Sequence, residues 1–286
     1  METMSAARAM WTMFEPIHDM TYFAPEAREA FTEAGLRGYW RGYFAGRAAP
    51  LGNTRAAVVA ASFHNFAPAF VARAIPGVWD LITPEDAIAA REAGATASLR
   101  RLLDGREAEA AKAASLLWRA ADGLDFSGRV LSAANAELPV SDEPLTRLWQ
   151  ATTLLREHRG DTHFAALTAA ALDGCEAVVL RCAKDMSRER MQPIRGWTDE
   201  QWDAASARLA ERGWIGEDGT MTAAGQAAHD GVEAATDQAA ARPWTRTGTD
   251  GLAEIAGVLM PLAQACAAAL PEGSPVGSLR PTRPRP

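Results

Sequence analysis

The sequence has few residues of the kinds that crosslink a chain or span a membrane. Only three of 286 residues are cysteine, Cys175, Cys182 and Cys266, and no Cys-x-x-Cys or Cys/His pair is present. Such isolated thiols in apolar surroundings favour core residues over disulfides or metal ligands. No apolar run approaches the ~18 residues that cross a bilayer, and no basic region precedes a continuous apolar stretch at the N-terminus. We therefore expect a soluble, cytoplasmic protein that does not enter a membrane.

Positive charge is also in short supply. The chain has 36 acidic against 29 basic residues, a net charge of −7. Binding a phosphate backbone needs a concentrated positive surface, so DNA is a disfavoured partner. Aromatic residues make up only 7% of the chain, and β-branched residues are sparse beside alanine, leucine, arginine and glutamate. This composition predicts an all-α fold.

The chain lacks the common cofactor signatures. It has neither a G-x-G-x-x-G sequence nor a P-loop, so no nucleotide-cofactor motif is present. It also lacks H-E-x-x-H and paired E-x-x-H sequences, which gives zinc and di-iron sites little support. The cofactor is therefore unknown from the sequence, although histidine leaves haem or a His-bound metal open.

The length favours two packed units. We predict a multi-helix ligand-binding or catalytic domain over residues 1–185. Residues 186–247 read as short helix, turn, helix, a two-stranded wing around Asp218 and Gly219, and a final helix, which is a winged helix-turn-helix module. A C-terminal helix at 248–270 and a disordered, Pro/Arg-rich tail at 271–286 complete the prediction.

The helix that would read DNA in this module begins with acidic residues. Its first turns carry Asp199, Glu200 and Asp203, and the wing carries Glu217 and Asp218. Repulsion from phosphates makes these carboxylates unfavourable for DNA binding. The nearby arginines 188, 190 and 195 soften this objection without removing it. We expect the module to act as a packing or dimerisation surface that no longer reads DNA.

A polar insert, EHRGDTH, interrupts two aliphatic stretches in LLREHRGDTHFAAL. We expect Gly160 to break a helix that ends at residue 157, so that His158 and His163 come together. Asp161 would cap a second helix over 161–183. The alternative is structural: Asp161 is only a cap, Glu157 pairs with Arg159 at the surface, and His158 bonds across a helix junction.

A second polar cluster lies in FEPIHDMTYFAPEA, where Glu15, His18 and Tyr22 share one helical face. All-helical proteins build sites from facing helices, although a histidine in such a place is often a satisfied core residue. The predicted catalytic set is His18 and His158 as an acid/base or cofactor-ligating pair, oriented by Tyr22, Asp161 and His163. The predicted substrate-binding set is Arg47, as an anion clamp, with Tyr43, His64 and Glu157.

These segments, with GYWRGYFAGRAAPLG, FHNFAP and RGWTDEQWDAASARLAERGWIGEDGTMTAAG, resemble a family of actinobacterial proteins labelled helix-turn-helix or MarR-like. The resemblance extends to about residue 247 and implies a regulator, with no catalytic residues to carry over. We expect a small-molecule-binding protein, an enzyme of specialised metabolism, whose winged helix has lost DNA reading. The alternatives are a ligand-responsive MarR-like regulator and a protein that sequesters a metabolite. A homodimer is expected, since MarR-like modules commonly dimerise.

Overall fold

The computed structural model describes residues 5–272, 274, 276 and 279–284. These residues form fifteen α-helices and no β-strand, which confirms the all-α prediction. The helices are α1 (Ala6–His18), α2 (Met20–Phe23), α3 (Pro25–Glu33), α4 (Tyr39–Ala48), α5 (Ala56–Ser62), α6 (Pro68–Val71), α7 (Pro84–Leu102), α8 (Glu107–Ala121), α9 (Val130–Ala136), α10 (Pro144–Ala169), α11 (Gly174–Lys184), α12 (Arg188–Arg195), α13 (Asp199–Glu211), α14 (Ala223–Ala239) and α15 (Arg242–Ala268).

Helix α10 is the central element of the molecule. It packs against α1, α7, α8, α9 and α14, and it is buried on most of its faces because apolar and small residues occur all around it. Trp149, on this helix, is wholly buried. Apolar residues of α1, α8 and α15 surround it to form the largest hydrophobic cluster. A second cluster is rich in phenylalanine and joins α4 to the segment 59–82.

The predicted break at Gly160 does not occur. Helix α10 runs through Gly160 without interruption, so the predicted helix ends at residues 157 and 161 are wrong. A mid-helix glycine costs only about 1 kcal/mol relative to alanine, which the burial of the surrounding turns offsets. The chain instead turns at Ala171, in the left-handed conformation with φ 53°. Asp173 then begins α11 with a capping box to Glu176.

Helices α11 to α14 form the helix-turn-helix module, with their own hydrophobic cluster around Trp202 and Leu209. Gly196, with φ 75°, makes the turn between α12 and α13. The predicted β wing is not formed among the described residues, where a single bridge joins Ile215 to Met221. Helix α13 ends at Glu211 and α14 begins at Ala223, which leaves few residues for strands on either side of the turn at Asp218.

The C-terminal helix rejoins the first domain rather than standing alone. Helix α15 begins at Arg242, bends at Gly248 and packs against α1 and α8. It is long and apolar enough to cross a membrane by length and composition, but here Ile255, Leu259 and Cys266 lie in the main cluster. The helix-turn-helix module is thus inserted, along the sequence, into one helical core.

The structure also describes the three cysteines and part of the C-terminal tail, for which the sequence made predictions. All three cysteines are free, with Cys175 and Cys266 buried and Cys182 half-buried. Within the predicted disordered tail, the amide of Thr282 donates to Thr12 Oγ1 at 2.9 Å, so this described part of the tail lies against α1. The tail residues 273, 275, 277, 278, 285 and 286 are outside the described residues.

Candidate functional site

A buried ion pair joins α4 to α10. Arg47 donates from Nε and Nη2 to the two carboxylate oxygens of Glu157, at 3.2 and 3.1 Å, and Arg156 Nη1 donates to Glu157 Oε2 at 3.0 Å. Burial alone would raise the pKa of the Glu157 carboxyl, but the two guanidinium groups hold that pKa well below its usual range. Glu157 is therefore an ionised anchor, and the predicted surface pairing with Arg159 is wrong. Arg159 instead bonds Asp237 on α14, at 2.7 Å.

Glu15 adds a second carboxylate to this network. It accepts from Arg156 Nε at 3.3 Å and from the Trp11 indole N–H at 2.8 Å. Two carboxylates, Glu15 and Glu157, therefore balance two arginines, Arg47 and Arg156. The Arg47 guanidinium also lies 4.3 Å from the centre of the Phe63 ring, which suits a planar cation.

His18 lies at the end of α1 and is engaged at both ring nitrogens. Its Nδ1 is 2.9 Å from Thr153 Oγ1, and its Nε2 is 3.1 Å from the Tyr22 hydroxyl. The predicted proximity of His18 and Tyr22 is therefore observed. Burial, followed by the charge of Arg156, lowers the pKa of His18 well below its usual value, so the imidazole is neutral at pH 7. To ligate haem or a metal, His18 would give up one of these two hydrogen bonds.

His158 does not join His18. Its side chain bonds the main chain of Asp125 and interacts electrostatically with Arg129 and Asp125, whereas His18 bonds Thr153 and Tyr22. Since α10 is continuous, His158 and His163 point about 140° apart. The predicted histidine pair is therefore not formed. Burial lowers the pKa of His158 to about 4, which keeps this residue neutral.

Asp161, His163 and His64 make contacts that the sequence did not predict. Asp161 is not a helix cap, because it lies inside α10 and accepts the Ser132 amide at 2.9 Å. His163 Nδ1 lies 3.0 Å from Thr236 Oγ1 and 3.8 Å from Glu233 on α14. His64 stacks on Phe164 with 5.4 Å between ring centres.

Two adjoining cavities open beside the ion-pair network. The inner cavity, of about 200 Å³, is lined by five arginines and two glutamates: Arg47, Arg156, Arg159, Arg181, Arg195, Glu15 and Glu233. His163 and the rings of Trp11, Tyr43, Phe63, Phe66 and Phe164 complete most of its wall. The outer cavity, of about 1010 Å³, adjoins it, because both are lined by Glu15, Tyr43, Arg156 and Arg195.

Aromatic rings dominate the junction with the outer cavity. The chain has only three tyrosines, and all three, Tyr22, Tyr39 and Tyr43, line the outer cavity with Trp40 and Phe23. The ring centres of Tyr22 and Tyr43 are 4.9 Å apart, and those of Tyr39 and Tyr43 are 6.1 Å apart. Tyr43 also accepts from Arg47 at 3.5 Å. Arg47, Tyr43 and Glu157, predicted as substrate-binding residues, are thus gathered in one place, together with Tyr22.

Arg195 is the residue that the sequence interpretation missed. It ends α12, and its main-chain oxygen accepts the Ala67 amide at 2.9 Å, which fixes the motif against the first domain. Its guanidinium lies 4.5 Å from the Phe66 ring centre and lines both cavities. Nε is buried without a hydrogen-bond partner, and no carboxylate among the described residues pairs with this side chain. Together with the ion-pair network, Arg195 therefore makes three arginines, Arg47, Arg156 and Arg195, beside the two paired carboxylates Glu15 and Glu157.

Comparison with known proteins agrees with the arrangement of α11 to α14. Residues 7–272 match the sequence profile of a family described as a helix-turn-helix family. The chain belongs to this helix-turn-helix family. The match extends beyond the module to nearly the whole chain, so the first domain and α15 are part of what defines this family. No curated protein and no solved structure matches the chain.

The helix-turn-helix module presents an acidic face. Arg188 bonds Asp199 at 2.9 Å and Asp203 at 3.0 Å, both at the exposed start of α13. Arg208, on the same helix, pairs with Asp173 and Glu176 at 2.6 and 2.7 Å. These arginines are thus occupied by carboxylates rather than free for phosphates. Among the described residues, no group of three or more His, Cys, Asp or Glu side chains is placed to hold a metal ion.

Proposed function

We propose that this helix-turn-helix protein binds a small organic anion in the inner cavity, at the boundary between the first domain and the module. The observation that carries the proposal is Arg195, a half-buried guanidinium without a carboxylate partner among the described residues. Removing an arginine from water without pairing it is costly. A carboxylate or phosphate on the ligand supplies the missing partner through charge-assisted hydrogen bonds.

The rings beside Arg195 favour an aromatic ligand. Phe63, Phe66 and Phe164 line the inner cavity, and Tyr43 lies where the two cavities adjoin. Small-molecule sites are typically apolar clefts with a few placed polar groups, and offset or edge-to-face ring contacts add about 0.5–1.5 kcal/mol beyond area burial. The proposed ligand is therefore a carboxylate or phosphate attached to an aromatic group.

Substitution of Arg195 tests this proposal. We expect Arg195→Gln to weaken the binding of 3-phenylpropionate, measured by isothermal titration calorimetry, by about tenfold or more, because a charge-assisted pair contributes about 1.5–3 kcal/mol. Arg37→Gln is the matched control, since it removes the same charge from an exposed loop residue outside both cavities. Equal affinities of the wild type and Arg195→Gln would contradict the proposal.

Membership of a helix-turn-helix family favours a second candidate function, a transcriptional regulator, which we propose to be ligand-responsive and MarR-like. In this case the module would bind an operator, and the anion would control the binding. A mobility-shift assay with the DNA upstream of the protein's own coding sequence, at low salt, distinguishes the candidates. Because the start of α13 is acidic and both Arg188 and Arg208 are paired with carboxylates, we expect no sequence-specific retardation. Specific retardation that 3-phenylpropionate alters would establish the regulator.

An enzymatic use of the same cleft is supported by the hydrogen-bonded series Thr153, His18 and Tyr22. In this form of the proposal, Tyr22 faces the ligand as a neutral hydroxyl that donates to it, and His18 orients this hydroxyl. If His18 held haem, the purified protein would show a Soret band. Acid/base catalysis by Tyr22 and His18 gives no Soret band. In that case we expect Tyr22→Phe to retain ligand binding but to lose turnover. That the protein is a cytoplasmic homodimer remains a prediction. Light scattering in solution tests the oligomeric state.

A further inference from the structure

We infer that the ligand of this cleft carries a basic amine in addition to its anionic group, and that Asp19 receives the amine. The inference rests on the proposed function, because it assumes that the anionic group is held at Arg195. It specifies the ligand class as an aromatic zwitterion with a carboxylate and an ammonium group.

Asp19 is an acid that the protein buries without providing a partner. It connects α1 to α2, is 2% exposed and forms part of the wall of the outer cavity. Its Oδ2 is buried and has no hydrogen-bond partner among the described residues. Buried polar atoms are nearly always hydrogen-bonded in native proteins. A donor from outside the chain, such as the N–H of an amine, satisfies this acceptor.

The two cavities have opposite charge balances when the Asp19 carboxyl is ionised, as it would be beside an ammonium group. Five arginines and two glutamates line the inner cavity. The outer cavity is lined by four arginines and five carboxyl groups: Arg28, Arg156, Arg190, Arg195, Glu15, Asp19, Glu29, Glu189 and Glu272. A ligand whose anionic group lies in the inner cavity and whose cationic group lies in the outer cavity is complementary to both linings. A simple anion is complementary to the inner cavity only.

The surroundings of Asp19 favour a cation over a neutral donor. Burial and then the charge of Glu15 raise the pKa of the Asp19 carboxyl well above its usual value. The charge of Glu157 also raises this pKa, whereas that of Arg156 lowers it. An ammonium group beside Asp19 and Glu15 reverses this effect by pairing with the carboxylate. Tyr39 lines the outer cavity together with Arg195 and Asp19, so an aromatic ring lies in the same cavity as both proposed charge partners.

Matched probe compounds test the inference in the full-length protein. Two zwitterions, L-phenylalanine and 4-(aminomethyl)benzoate, differ in the distance between their charges. Their carboxylate-only counterparts are 3-phenylpropionate and 4-methylbenzoate. Affinities are measured by calorimetry for the wild type, Asp19→Asn and Arg195→Gln. We expect at least one zwitterion to bind the wild type about tenfold more tightly than its counterpart. Asp19→Asn should abolish this preference while leaving carboxylate affinity unchanged, which also shows that the variant is folded.

The outcomes separate this inference from the proposed function. If the carboxylates bind in an Arg195-dependent manner but neither amine improves affinity, the inference about Asp19 is wrong and anion binding stands. The same conclusion follows if Asp19→Asn keeps the preference for a zwitterion. If neither carboxylate binds, or if Arg195→Gln binds as the wild type does, the proposed function fails and the inference fails with it.

Discussion

Glu157 accepts hydrogen bonds from two arginines inside the protein, and its removal leaves Arg47 buried and unpaired. We expect Glu157→Gln to lower the free energy of unfolding by about 3–5 kcal/mol, the usual cost of breaking a buried pair from one side. Glu254→Gln is the control, because Glu254 pairs with Lys112 on the surface and exposed pairs contribute about 1 kcal/mol or less. Urea unfolding measures both. A cost below about 1 kcal/mol for Glu157→Gln would show that Arg47 does not depend on this carboxylate.

His158 makes folding sensitive to acid. Its pKa is about 4 in the folded chain against about 6.5 in an unfolded one. Between these values the unfolded chain binds more protons, so stability is lost as the pH falls through this window. His158→Gln should reduce the dependence of unfolding free energy on pH by up to about 1.4 kcal/mol per pH unit, as measured by urea titrations from pH 4 to 7.

Asp161 acts in the opposite direction and is the matched comparison. Burial raises its pKa to about 6 in the folded chain, against about 3.9 when unfolded. The folded chain therefore binds more protons in this window, and stability is lost as the pH rises from about 4 to 6. Asp161→Asn should make the pH dependence steeper, whereas His158→Gln makes it shallower. Slopes that change in the same direction would contradict these assignments.

Part of the site was readable from the sequence because it depends on local spacing. His18 and Tyr22 are four residues apart and do contact each other. The pairing of Arg47 with Glu157, 110 residues apart, follows from the packing of α4 near α10, which no local pattern encodes. From the sequence, Arg195 was only one of three arginines near the helix that would read DNA, and only the tertiary contact with residues 66 and 67 places its side chain in the cleft.

Helices α3 and α7 approach so closely that glycine is required at their crossing. A Cβ atom at Gly94 would lie 2.6 Å from the main-chain Cα of Ala27. We expect Gly94→Ala to lower the free energy of unfolding by about 2–3 kcal/mol through overpacking. Gly257→Ala in α15 should instead raise it by about 0.5–1 kcal/mol, because a Cβ there meets nothing and alanine favours the helix. Thermal unfolding of both variants checks the signs, and a neutral Gly94→Ala would show that the helices can separate.

Most helices were predictable as elements, but two features of element structure were not. Periodic apolar residues and N-terminal prolines locate α3, α7 and α10, since these signals are local. The continuity of α10 through Gly160 was missed, because a polar insert looks like a loop until its charges find partners on other helices. The wing was predicted from a turn sequence, yet a turn signal does not establish strands on either side.

The cleft lies where the helix-turn-helix module meets the first domain, and the insertion of the module explains this position. Helix α10 leads into the module and α15 leads out of it to α1 and α8. The motif is held at its turn by the bonds from Ala67 to Arg195 and from the Trp197 indole to Asn65 at 3.1 Å. Residues of both parts therefore line the inner cavity, and a ligand there contacts both.

The same topology predicts that residues 1–185 do not fold as an independent domain. Helix α15 contributes Trp244, Ile255, Leu259 and Cys266 to the main core. Removing such side chains costs about 2–5 kcal/mol each, so losing all of them costs about as much as the 5–15 kcal/mol that stabilises a typical domain. We expect a chain truncated after Ala241 to lose cooperative thermal unfolding and dispersed NMR signals. A chain truncated after Leu270 keeps α15 and should retain both. If the shorter chain folded with a native-like spectrum, α15 would be an appendage rather than part of the core.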